Sequence, residues 1–290
     1  MAIPAIKIGE CISEPGSPTR PTEDAYSFEL NPDNGMLYAA VIDGATSVDG
    51  HLYETTPGRF YAQLSTDIVR HFFNKHTPLK KTAEHLIKAM NINSRLAGYT
   101  SDTQPRWKNP AAAGTLARIS LDARSAEFYT LSDTSIIVQY PDGQITSYTG
   151  TQDKSKQTEA FHKEYGTAPS DPDALKAWKR TRSCYMRDGR NTKDGYKAFS
   201  IEPEVAPLGE HWHVALPEGT TKIWMCTDGM MRSVNDYKIW DMPTLVGKFN
   251  TQGTEQTARE LHRLEEDGIK GNEYSKKSDD IVIFSTEITI

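Results

Sequence analysis

Residues 24–44 read DAYSFELNPDNGMLYAAVIDG. Two runs carrying aromatic and branched residues, 24–30 and 36–42, flank Asn31-Pro32-Asp33-Asn34-Gly35. Pro-Asp followed by Asn-Gly is turn chemistry: proline presets φ early in the turn, and glycine accepts the left-handed backbone that closes a tight reversal. The stretch is therefore an antiparallel hairpin, with Asp43-Gly44 at the exit of its second strand.

Outward from the hairpin, residues 59–76 place Phe60, Leu64, Ile68, Val69 and Phe72 at three- and four-residue spacing, and residues 79–96 do the same with Ala83, Leu86, Ile87 and Met90. That spacing predicts two amphipathic helices, broken at Thr77-Pro78. Short β-like runs follow at 115–121, 127–131, 136–140 and 144–148, separated by turn residues that include Ser132-Asp133-Thr134 and Pro141-Asp142-Gly143. They predict one antiparallel meander. Residues 151–197 are polar and charged, with Lys179, Arg180, Arg182, Arg187 and Arg190, and read as an inserted helical lid. A strand at 221–226, helices near 243–249 and 255–267 and a strand at 281–285 complete a single domain over 1–290. Hairpins bracketing helix pairs give an α+β class with helices covering sheets.

Composition removes several functions. The chain has 33 Lys+Arg against 39 Asp+Glu, a formal charge of −6. A binder that neutralises nucleic-acid phosphates is basic overall or carries a basic stripe. Neither is present, so no nucleic-acid partner is expected. Hydrophobic residues at 37% and charged residues at 25% lie outside the disordered regime. The apolar runs fall far short of the roughly 20 residues that cross a bilayer, and MAIPAIKIGECISEPG lacks the pattern of a secretory signal. Cys11, Cys184 and Cys226 form no CxxC pair, which fits a reducing cytoplasm and supports neither a zinc ribbon nor a disulfide framework. A cytoplasmic monomer without membrane contact is the expectation.

The acids sit at strand boundaries. Ile42-Asp43-Gly44 and Cys226-Thr227-Asp228-Gly229 put Asp-Gly at the end of an apolar strand. Leu131-Ser132-Asp133 adds another strand-end Asp, and Ser278-Asp279-Asp280-Ile281 sets a pair at a strand start. One Asp-Gly alone reads as an ordinary turn. Four such positions, with Glu23-Asp24, share a placement that turns have no reason to share. Strand ends gather at one rim of a sheet, and convergent carboxylates repel unless something positive lies between them. Oxygen-only ligands without a Cys/His cluster select hard cations, Mg²⁺ or Mn²⁺.

In chain order, Thr22-Glu23-Asp24-Ala25, Ile42-Asp43-Gly44, Ala113-Gly114-Thr115-Leu116-Ala117, Ser132-Asp133-Thr134, Thr227-Asp228-Gly229-Met230 and Ser278-Asp279-Asp280-Ile281 are present. This series resembles the metal-dependent serine/threonine phosphatases of the protein phosphatase 2C family. Gly195-Tyr196-Lys197-Ala198-Phe199-Ser200 and Leu264-Glu265-Glu266-Asp267 are similar to its bacterial branch. The resemblance implies a four-layer α-β-β-α sandwich, two antiparallel sheets flanked by helices. It also implies a centre of two Mn²⁺ or Mg²⁺ ions, with a weaker third. Asp43 would bridge both ions, the Gly44 carbonyl would bind one, and Asp228 and Asp279 would complete the other. Glu23 and Asp24 would hold metal-associated water, and Asp133 would serve the third ion. The implied reaction is hydrolysis of phosphoserine or phosphothreonine in a protein substrate by water activated between two cations, with no phosphoenzyme.

The chain departs from the family pattern in places. The family places Arg four residues before the first-motif Glu, where Thr19 stands here. Arg20, three before Glu23, is the expected phosphate ligand, with the basic stretch around Arg182 to Arg190 as the alternative. Ala45 stands where some members carry His as a proposed general acid, Ser132 replaces the usual Gly before Asp133, and Ser135 replaces a frequent Arg. These departures keep open a non-catalytic relative that binds phosphoproteins or a regulator, and a hydrolase of small phosphate esters. His51, His71, His76, His85, His162, His211, His213 and His262 show no metal-ligand spacing, and Cys226 reads as a packing thiol.

Overall fold

Side chains alternate between the two faces of a strand, and in the central strands of this chain both faces are buried. The computed structural model describes residues 4–46, 48, 56–73, 77–100, 104–269 and 278–290. In chain order the elements are β1 (Ala5–Ile8), β2 (Ile12–Glu14), β3 (Ala25–Asn31), β4 (Met36–Gly44), α1 (Pro57–Phe72), α2 (Leu79–Leu96), β5 (Ala111–Ser120) and β6 (Ser125–Leu131). They continue with β7 (Ser135–Gln139), β8 (Ile145–Thr149), α3 (Ser155–Tyr165), α4 (Pro172–Asp188), β9 (Phe199–Ser200), β10 (Glu210–Ala215) and β11 (Thr220–Cys226). The last are α5 (Asp228–Asn235), α6 (Met242–Gln252), α7 (Thr254–Glu266) and β12 (Ile281–Thr289).

Among the described residues the strands form two six-stranded sheets. One runs β1-β12-β11-β7-β8 with β2 also on β12, and the other runs β10-β6-β5-β4-β3 with β9 also on β5. Leu37, Ala39 and Val41 of β4 point between the sheets, where they meet Ile136 and Val138 of β7, Met225 of β11 and Phe284 of β12. The intervening Ala40 and Ile42 face the other way, onto Tyr61, Val69, Leu86 and Ile87 of α1 and α2. On the second sheet Ile137, Trp224 and Ile283 face Met230, Leu245, Phe249 and Leu261 of α5, α6 and α7. Each large apolar side chain fully buried this way contributes about 1.5–3 kcal/mol. The result is the α-β-β-α sandwich in an α+β fold.

The runs between 115 and 148 are not one meander. β5 pairs with β6 in one sheet and β7 with β8 in the other, both antiparallel. Ser132-Asp133-Thr134 therefore carries the chain across from sheet to sheet, with Ser132 at a φ of +77°. Turn residues reverse a chain within a sheet and between sheets alike, so the pattern did not separate the two. The first helix also begins earlier than residue 59. The Thr56 side chain accepts from the Arg59 backbone N–H and Pro57 takes the first turn, both helix-start signals. His51 and His76 lie outside the described residues. No described helix is long and apolar enough to cross a membrane.

Candidate metal centre

Strand geometry sets the acids in place. The alternation that puts Val41 between the sheets continues to Asp43 at the end of β4. Asp133 sits in the inter-sheet crossing, Asp228 opens α5 just after β11, and Asp279 lies just before β12. Asp43, Gly44, Asp133, Asp228 and Asp279 line one cleft of about 530 Å³. Glu23 and Asp24, both buried, precede β3, which pairs with β4 in the register Ala25↔Ile42.

These carboxylates act on one another. Burial raises the Asp43 pKa well above the ordinary value of 3.8, and the charges of Asp24, Asp228, Asp133 and Asp279 raise it further. Asp24 is likewise raised by burial, then by Asp280, Asp279 and Asp228, and is partly relieved by a hydrogen bond from Thr227. Among the described residues, no three His, Cys, Asp or Glu side chains stand in a ready-made chelating geometry. The acids share a cleft and a field without closing on a point, since like charges hold each other off unless a cation sits between them.

Several residues position this wall. Asp280 accepts from the backbone N–H of Gly16 at 2.7 Å through Oδ1 and from that of Glu23 at 2.6 Å through Oδ2. The Thr56 hydroxyl donates to Glu23 Oε1 while its oxygen caps α1. Thr227 Oγ1 accepts from the Val282 N–H at 3.0 Å, which ties β12 to the loop carrying Asp228. His262 Nε2 lies 3.1 Å from the Asp279 carbonyl oxygen, and Ser278 donates to Glu265 Oε2 at 2.5 Å. A Cβ on Gly44 would fall 2.3 Å from the Glu23 carbonyl oxygen and 2.5 Å from that of Gly58, so the chain needs glycine there. The sequence marked Asp280 and Thr227 only as motif neighbours. It gave no sign that Thr56 and His262, distant along the chain, support the same site.

The same cleft also carries basic side chains. α4 lays Arg182, Ser183, Met186 and Arg187 along the cleft, joined by Gln152, Lys154 and Tyr196. Arg187 donates to the Thr46 carbonyl. Burial lowers its pKa from the ordinary arginine value, and the nearby Glu23 charge opposes that shift. Arg232 also lines the cleft, with its Nε 3.8 Å from Asp236 and its Nη1 3.4 Å from Glu265. Arg20 is exposed, its backbone N–H bonded to the Ser17 carbonyl at 3.2 Å, and it is not among the residues lining the cleft. His211 and His213 are exposed on β10. Cys226 is fully buried, and burial pushes its thiol pKa up, as befits a packing residue.

The donor set fits hard divalent cations: oxygen atoms only, several carboxylates buried against their own repulsion, and a glycine whose backbone is packed beside them. The family model for protein phosphatase 2C matches residues 18–265. The chain belongs to the protein phosphatase 2C family. Solved structures share its fold. The serine/threonine phosphatase of S. agalactiae is 13% identical with a TM-score of 0.57, covering 99% of this chain and 100% of that one. The catalytic domain of PstP, solved with two manganese ions, is 14% identical with a TM-score of 0.57 over 99% of this chain and 100% of that one. RsbX, solved with magnesium, is 11% identical with a TM-score of 0.52 over 98% and 100%. No curated protein matches the sequence.

Proposed function

We propose that this protein phosphatase 2C chain is a metal-dependent phosphatase of phosphoserine and phosphothreonine in proteins. The observation that carries the reading is one cleft lined by Asp43, Asp133, Asp228 and Asp279 together with Arg182 and Arg187. In this reading Asp43, the Gly44 carbonyl, Asp228 and Asp279 hold two Mg²⁺ or Mn²⁺ ions. Glu23 and Asp24 orient water from behind, and Asp133 serves a third ion. The magnesium and manganese in the RsbX and PstP structures support the choice of ion. Cations seated there supply Lewis acidity, acidifying water and drawing charge from phosphoryl oxygens.

The chain's own residues do the rest. The segment 151–197 acts as a lid: α4 brings Arg182 and Arg187 into the cleft that holds the acids. The Asp280 clamp holds the 23–24 backbone in place, and Thr227 holds the Asp24 carboxyl. Ala45 lines the cleft and offers no proton to a departing serine or threonine oxygen. Cys11, Cys184 and Cys226 form no disulfide.

Manganese-dependent release of phosphate from a phosphothreonine peptide tests the reading, with loss expected on adding EDTA and in Asp43→Asn and Asp228→Asn. Turnover that survives chelation or either substitution would sink it. A non-catalytic phosphoprotein-binding module is favoured by one observation, the exposure of Arg20 away from the cleft. Calorimetry showing no manganese uptake up to millimolar metal would establish that alternative.

A further inference from the structure

We infer that the phosphoryl group is gripped from the helical segment, by the guanidinium of Arg187 on α4, and not from the first motif by Arg20. The inference rests on the phosphatase reading and names the phosphate-binding residue of the same site.

Placement comes first. Arg187 lines the cleft that holds Asp43, Asp133, Asp228 and Asp279. It donates to the carbonyl of Thr46, just beyond Asp43-Gly44. A guanidinium has five N–H donors in a planar fork, and among the described residues Arg187 has that one hydrogen bond through Nη2. The remaining donors suit a phosphate, which accepts paired N–H bonds in the same plane. Arg187 is half-buried at the cleft, where a guanidinium keeps its proton and gains from an anion beside it. A phosphate entering the cleft would meet those donors directly. Arg182 also lines the cleft but has interactions of its own.

Arg187 is held rather than swung into place. Just beyond it, Trp107 N–H donates to Asp188 Oδ1 at 2.9 Å. Arg106 Nη1 donates to the Arg190 carbonyl at 2.9 Å, and Arg190 Nη2 returns a bond to the Arg106 carbonyl at 3.2 Å. Asn191 then bonds the Ala198 carbonyl at 3.1 Å and Ser200 Oγ at 2.9 Å. There β9 pairs with β5 beside Ala111 and Ala112, which themselves line the cleft. The C-terminal end of α4 is thus stapled to the rim that carries the acids. Arg20 has no comparable support in the cleft; it stands exposed on its own turn.

Hydrogen bonds to a charged group contribute about 1.5–3 kcal/mol, which converts to roughly 10–100-fold in phosphate affinity. The experiment compares Arg187→Ala, Arg187→Lys and Arg20→Ala in the manganese-loaded protein. It follows KM for a phosphothreonine peptide, inhibition by inorganic phosphate, and direct phosphate binding by calorimetry. Arg187→Ala is expected to weaken phosphate binding and raise KM about tenfold or more beyond Arg20→Ala, with Arg187→Lys recovering part of the loss. Manganese uptake, measured separately, reports whether each variant keeps its centre. If Arg187→Ala fails to fold, Arg187→Lys carries the comparison, since it keeps the charge and loses the fork. An equal or larger loss from Arg20→Ala, or unchanged phosphate binding in both Arg187 variants, overturns the inference. An inactive wild type overturns the phosphatase reading instead, and phosphate binding to the metal-loaded protein still decides between Arg187 and Arg20.

Discussion

The two walls of the cleft are built by different physics. The acidic wall is made of strand ends: Asp43 closes β4, Asp228 follows β11 and Asp279 precedes β12, all registered by backbone ladders within two packed sheets. The basic wall is a helix face, with Arg182 and Arg187 on α4, placed by its docking against neighbours. Around α3 and α4, Phe161 packs against Tyr165, Trp178 and Tyr185 with ring centroids 4.9, 5.2 and 5.3 Å away. A ladder fixes position by repeated hydrogen bonds over a long element, whereas a docked helix depends on a few side chains. The acidic wall should therefore resist perturbation as structure while being fragile as chemistry, and the basic wall should be the reverse.

The sharpest way to break the contrast is Asp43→Asn. Loss of an outer-shell partner costs 10–100-fold in metal affinity or activity, so loss of a proposed bridging ligand should exceed about 100-fold in manganese-dependent turnover. The same substitution removes one repelling charge, so the metal-free protein should melt at a higher temperature than wild type at pH 7. Loss of activity together with a lowered metal-free melting point would break the account of the wall as a site of stored repulsion.

Next comes Phe161→Ala, which empties a fully buried aromatic position at a cost of about 3–5 kcal/mol. Faster hydrogen exchange should appear across residues 155–188 while amides of β11 and β12 stay protected. Uniform loss of protection through both sheets would show that the two walls fold as one unit. Asp280→Ala then tests the acidic wall from behind. Removing the acceptor of the Gly16 and Glu23 amides should weaken manganese binding about 10–100-fold, read by calorimetry. The fold survives, because both sheets keep their ladders.

The smallest effect is in pH. Asp43 and Asp24 have folded pKa values raised above the ordinary 3.8. The folded form therefore keeps protons that the unfolded chain has lost. Their contribution to stability is complete below about pH 4 and is lost as pH rises through the raised values, at about 1.4 kcal/mol per pH unit for each proton retained. In EDTA the melting temperature should fall as pH rises above the ordinary carboxylate value. With manganese the fall should be reversed or flattened, since binding to the folded form stabilises it. Parallel curves with and without metal would remove the acids from the account.

The contrast also explains what could be read from the residues. Apolar, aromatic and branched runs bounded by turn chemistry located β3, β4, β7, β11 and the acids at their ends, because a strand end is a local property. The crossing at Ser132-Asp133-Thr134 was not legible, since the same residues make a hairpin within a sheet. Arg187 appeared only as one charge in a basic run: its facing depends on where α4 docks, and no local pattern encodes that. Arg20 shows the converse, with near-motif spacing along the chain but an exposed position in space. Asp280, next to Asp279, gave no local hint that its two oxygens are spent on distant amides.

That Asp280 clamp joins residues 257 positions apart in the chain, Glu23 to Asp280. Closing so long a span carries a large entropic cost before its contact is made, which favours late formation of the acidic rim. A chain emerging from the ribosome would carry Asp43 and Asp24 for most of its synthesis without the partner strand that completes them. Under the proposed metal centre, tight manganese uptake would report that these two distant segments have come together.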